Sequence, residues 1–99
     1  MNIKKGDKLY VRIDYKAGQK GMTNQDLQDH LAYIQNIAGE RYLIGGGFSN
    51  ADGGMIIMEA DSLEEARRIF EKDPLIERAF YRFDLFEWGL VIISEDNAD

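Results

Sequence analysis

The chain holds one histidine, His30, and no cysteine, so a single imidazole is the side chain best suited to move protons near neutral pH. Counted from Leu27, the positions i+3, i+4 and i+7 are His30, Leu31 and Ile34, which puts the imidazole on the inward stripe of a helical pattern. That placement has two readings. The ring can be a core histidine satisfied by a backbone carbonyl, or it can be a general acid or base. Asp73 is the second candidate. It precedes Pro74, and Asp-Pro is a common turn starter. A carboxylate in an irregular segment beside a helix end can also orient an imidazole, holding its tautomer and stabilising its charged form. Spacing alone does not bring His30 and Asp73 together. Gly45-Gly46-Gly47 is the third feature, a place where backbone amides can approach a ligand or where a strand end bulges. It lacks the GxGxxG or Walker spacing that would mark a phosphate site.

Other chemistries fall away. One histidine without cysteine makes a poor metal set, so no metal and no cofactor are expected. No G-x-S-x-G run is present. Asp61, Glu64, Glu65 and Glu71 read as a solvated helix face, and the four methionines as core filler.

The elements that must position these residues follow from periodicity. Lys8 to Tyr15 alternates as a strand, with Leu9, Val11, Ile13 and Tyr15 on one side and Tyr10, Arg12 and Asp14 on the other. Thr23, with Asp26 three residues on, starts a helix through a variant of the capping box. Gly39 is placed to end that helix in the left-handed conformation. Tyr42 to Phe48 resumes as a strand that breaks at the three glycines, and Met55 to Ala60 is its hairpin partner across a turn containing Asp52-Gly53. Asp61 or Ser62 caps a second helix, which Asp73-Pro74 ends. After a short turn, Phe80 to Trp88 alternates as the last strand, and Leu90 to Ile93 is a candidate extension.

The order is β-α-β-β-α-β, which predicts an α+β, ferredoxin-like fold with a four-stranded antiparallel sheet and two helices on one face. At 99 residues the chain reads as a single domain, with a core over residues 8–93 and an acidic tail over 94–99. The open sheet face would carry either Phe80, Arg82, Asp84, Phe86 and Trp88 or Tyr81, Phe83, Leu85 and Glu87 from the last strand. Both sets are aromatic enough to call for a second subunit, so a homodimer is expected. The net charge of −6 disfavours nucleic acid and anionic membrane as partners. No apolar run approaches membrane-spanning length, and MNIKKGDKLYVRIDY does not read as a signal peptide, so a cytoplasmic protein acting on a small molecule is the expectation.

Three segments together resemble the YciI-like (YCII-related) family: Asp29-His30-Leu31, Leu43-Ile44-Gly45-Gly46-Gly47, and Asp73-Pro74-Leu75 after DSLEEARRIFEK. The YRFDLFEW strand fits as well, and the resemblance runs from about Lys8 to Trp88. It implies a ferredoxin-like chain that dimerises into an α+β barrel, with a His–Asp pair in a pocket. The family's histidine maps onto His30 and its aspartate onto Asp73, which turns the balance toward the functional reading of the imidazole. The family looks like a set of small enzymes, and one relative is a dehydrochlorinase acting on a chlorinated hydroxyhydroquinone. By this resemblance the leading function is cofactor-independent acid/base chemistry of the lyase type, with His30 and Asp73 catalytic and Gly45, Gly46 and Gly47 lining the substrate. The alternatives are a non-catalytic dimeric module that binds or senses a small ligand, and a purely structural dimerisation domain. A short Gly/Asn/Asp hairpin connection and a long acidic tail depart from the family pattern.

Overall fold

In the computed structural model, which describes residues 3–95, alternation and capping produce the expected order with one addition. The elements are β1 (Lys8–Lys16), α1 (Asn24–Ala38), β2 (Leu43–Gly47), β3 (Gly54–Met58), α2 (Leu63–Glu71), α3 (Pro74–Glu77) and β4 (Tyr81–Gly89). The strands form one antiparallel sheet in the order β2-β3-β1-β4. Residues 96–99 of the acidic tail lie outside the described residues.

Both main helices begin where the sequence marks them. Thr23 accepts from the Asp26 amide while the Asp26 carboxylate accepts from the Thr23 amide, a complete capping box. Ser62 caps α2 by accepting from the Glu65 amide. The register settles which strand faces meet the helices. Tyr10, Arg12 and Asp14 of β1 share a face with Leu85 and Phe83 of β4 and with Ile56 and Met58 of β3. The core forms there, from Tyr10, Ile37, Ile56, Met58, Ala66 and Phe70. The opposite face carries Val11, Ile13, Ile57, Phe86 and Trp88, with Phe86 52% and Trp88 46% exposed.

Five local expectations are corrected. Gly39 is right-handed (φ −75°, ψ −17°), because α1 ends by tightening: the Glu40 and Arg41 amides both donate to the Ile37 carbonyl. The three glycines do not break their strand; Gly45, Gly46 and Gly47 pair in register with Ile56, Met55 and Gly54. Asp73-Pro74 does more than end α2. Asp73 caps α3, with Pro74 at its first position, where a missing N–H costs nothing. Leu90 to Ile93 does not extend β4: β1 starts at Lys8 opposite Gly89, and Leu90 instead exchanges backbone bonds with Asp7 and Gly6. Finally, the Leu27–Leu31 stripe is not core. These residues are 38% and 40% exposed, since α1 packs on the sheet through Tyr33, Ile34 and Ile37 toward its C-terminal end.

Candidate active site

The gap left by α1 is the candidate site. Under its N-terminal half lies a cavity of about 270 Å³, walled by Leu27, His30, Leu31 and Ile34 on the helix side. The floor is the sheet, and it is low because the cross-strand row Phe83–Asp14–Gly54–Gly47 carries glycine at both its β3 and β2 positions. Gly45, Gly46 and Gly47 all line this cavity, together with Gly53, Gly54, Leu75 and Tyr81. Two of these positions call for glycine, Gly54 by close strand approach and Gly53 by its backbone conformation. A Cβ at Gly54 would lie 2.6 Å from the Gly46 carbonyl oxygen, and Gly53 has φ +91°.

His30 reaches the cavity from the middle of α1, its side chain 16% exposed. Its Nδ1 lies 2.8 Å from Asp73 Oδ1 and 2.9 Å from Oδ2, so the structure brings these two residues into direct contact. Asp73 is rigidly held. Its role as cap of α3 fixes the backbone, and its Oδ1 also accepts from the Leu75 amide at 3.0 Å. The two helices are clamped near this contact: Arg78, at the end of α3, donates to Asp26 and contacts Asp29, both on the first half of α1. The Tyr33 hydroxyl donates to the Ile69 carbonyl of α2 at 2.6 Å.

Two participants were missed by sequence reasoning. Arg12 is wholly buried, and its Nη1 donates to Asp73 Oδ2 at 2.8 Å. Its Nε and Nη2 donate to the two oxygens of Asp14 at 2.6 and 3.1 Å, and Asp14 lines the cavity. The signal was the Arg12-x-Asp14 spacing on one strand face. An alternating charged face ordinarily reads as solvated, and nothing local says that helices will cover it.

Burial alone would raise the Asp73 carboxyl. The hydrogen bond from His30, the Arg12 charge and the Leu75 amide outweigh that effect and hold it below the usual carboxylate value. An ionised carboxylate can only accept, so His30 Nδ1 is the donor. In neutral imidazole that leaves the Nε2 lone pair as the free basic position. The arrangement can therefore take up or deliver one proton at Nε2, while the buried carboxylate stabilises the imidazolium that results. Among the described residues no group of side chains could hold a metal ion, and no buried side-chain polar atom lacks a partner.

Sheet order, antiparallel pairing and helices on one face define an α+β protein of the ferredoxin-like class. Within that class the chain belongs to the YCII-related family, whose domain model matches residues 9–88. It is 39% identical over 83 residues to the uncharacterized protein YjpA of Bacillus subtilis, covering 83% of this chain and 98% of that one. Among solved structures it resembles the 5-chloro-2-hydroxyhydroquinone dehydrochlorinase TftG of Burkholderia phenoliruptrix in complex with 2,5-dihydroxybenzoquinone. The TM-score is 0.61 at 21% identity, over 82% of this chain and 93% of that one. It also resembles a dimeric ferredoxin-like protein of unknown function from Thermobifida fusca, with TM-score 0.50 at 10% identity over 90% and 97% of the two chains. At these identities the likeness speaks for the fold. No described helix is long and apolar enough to cross a membrane.

Proposed function

We propose that this chain is a small enzyme that performs acid/base chemistry, of the elimination type, on a small organic molecule bound over the glycine floor. His30 is the acid/base, Asp73 its orienting partner, and the backbone of Gly45, Gly46 and Gly47 part of the substrate wall. The observation that carries this reading is the 2.8 Å contact between His30 Nδ1 and a buried, ionised Asp73 beside a cavity, which leaves Nε2 as the working nitrogen. In a dehydrochlorination, Nε2 accepts a proton from the substrate, the freed electron pair forms a new double bond, and chloride departs with the carbon–chlorine pair. Imidazolium and chloride together account for the HCl lost. The activity of the similarly folded dehydrochlorinase supports the reaction class.

The same reading includes a homodimer formed through the uncovered sheet face. Ile44, Met55, Phe86 and Trp88 are all exposed on that face, and a cluster of large apolar side chains in water favours a covering partner. The dimeric ferredoxin-like protein from Thermobifida fusca supports the pairing.

The test is chloride release from a panel of chlorinated hydroquinones and hydroxyhydroquinones, compared between wild type, His30→Gln and Asp73→Asn. Loss of the base should lower the rate roughly 10²–10⁴-fold. A rate unchanged in His30→Gln would refute the assignment. Saturable binding by the wild type without turnover of any panel member would favour the ligand-binding module instead.

A further inference from the structure

Arg12 is among the largest side chains in the protein with no solvent exposure, together with Phe70, Met58 and Asp73. Its guanidinium carbon lies 5.3 Å from the ring centroid of Phe70 on α2 and 5.6 Å from that of Phe83 on β4. The two rings meet edge-on, 6.2 Å apart at 67°. Aromatic walls leave the guanidinium only its edges for hydrogen bonding, and both edges are used. Nη1 donates to Asp73, while Nε and Nη2 take both oxygens of Asp14 as a two-point fork.

The geometry points to Arg12 as a positioning residue: it holds Asp73 against His30 with one edge and Asp14 at the cavity wall with the other. The four side chains then act as one unit rather than as a pair with bystanders. This deepens the acid/base reading and takes its functional meaning from it.

Several observations converge on that coupling. The Asp14 backbone is closely packed by Gly53, where any Cβ would collide with the Asp14 carbonyl oxygen. Its own side chain is 12% exposed and faces the cavity. With both aspartates ionised, one guanidinium sits between two carboxylates, so a loss of charge at Asp14 strengthens the hold of Arg12 on Asp73. Asp73 in turn has that much less charge to offer His30 Nδ1. A ligand that engages Asp14 would therefore be felt at His30 through Arg12. Lysine could not replace this arrangement, because an ammonium is a point donor without the planar fork or the stacking faces.

His30 is the sole histidine, so a protein labelled with ¹⁵N-histidine reports this ring alone. Long-range proton–nitrogen correlation in mildly alkaline buffer should show the wild type in the Nδ1–H tautomer, with a downfield Nδ1 proton. In Arg12→Lys that proton resonance should be lost and both tautomers should appear. In Asp14→Asn it should move upfield while amide signals remote from the network stay in place. A folded Arg12→Lys protein that keeps the wild-type signals would overturn the proposal, since a merely structural ion pair leaves the tautomer alone. Should Arg12→Lys fail to fold, Asp14→Asn decides, because Arg12 keeps Asp73 in that variant. Unchanged His30 signals there would be equally fatal. The measurement uses no substrate, so failure of the enzyme reading and failure of the network give different results.

Discussion

Asp73→Asn tests the site as a structural object as well as a chemical one. Asparagine preserves shape and remains a good cap for α3, so the capping contribution is largely kept. What is lost is the charge facing a fully buried guanidinium at 2.8 Å. Breaking a buried pair by removing one partner costs ~3–5 kcal/mol. Arg12 retains Asp14, so the lower end applies, about 3 kcal/mol. For a chain of this length that corresponds to a fall in Tm of roughly 12–24 °C. The pH dependence carries its own sign. The folded-state pKa of Asp73 lies below its ordinary 3.8, so its charge stabilises the fold above that value. The contribution is lost as pH falls through the folded value. Urea denaturation of both proteins from neutral pH into acid should show a gap of about 3 kcal/mol that narrows below about pH 4. A gap under about 0.5 kcal/mol at neutral pH, or one that persists unchanged in acid, would refute the reasoning.

Four further outcomes are expected. Phe70→Ala removes a fully buried ring that packs on Phe83 and walls Arg12; it should cost ~3–5 kcal/mol by chemical denaturation and perturb the His30 signals. Gly54→Ala forces a methyl to within 2.6 Å of the Gly46 carbonyl and should cost ~1–3 kcal/mol. Gly47→Ala meets nothing closer than 3.7 Å and should stay within about 0.5 kcal/mol of wild type. Trp88→Glu places a charge on the open apolar face, and sedimentation should show dimer converted to monomer; a wild type that sediments as a monomer at micromolar concentration would dismiss the dimer outright.

Much of the architecture was legible because its signals are local. The Thr23–Asp26 box needs only the residues of one turn, and β1 declares itself through alternation from Lys8 to Tyr15. The α3 cap was missed because Asp-Pro serves equally as a stop and as a start; only the helical bonds that the chain makes after Pro74 tell which. Leu27 and Leu31 were misplaced for a different reason. Period 3.6 identifies a stripe but not where the helix axis lifts away from the sheet, and here the lift makes the cavity.

The amino-acid sequence by itself determined the order of the four strands and two main helices, the antiparallel class, the absence of a thiolate site and the identity of the one imidazole. Each of these depends on residue type or on contacts within a few positions along the chain. Tertiary structure decided everything that depends on distant segments meeting. His30 and Asp73 are 43 residues apart and touch only because α1 docks beside the start of α3. Arg12 is 61 residues from Asp73, and whether its strand face meets water or helices is a property of the assembled layers. A two-residue period assigns Arg12 and Asp14 to one face with certainty. Which face the helices cover is decided by how the connections between strands cross the sheet, a choice that no local window of sequence contains.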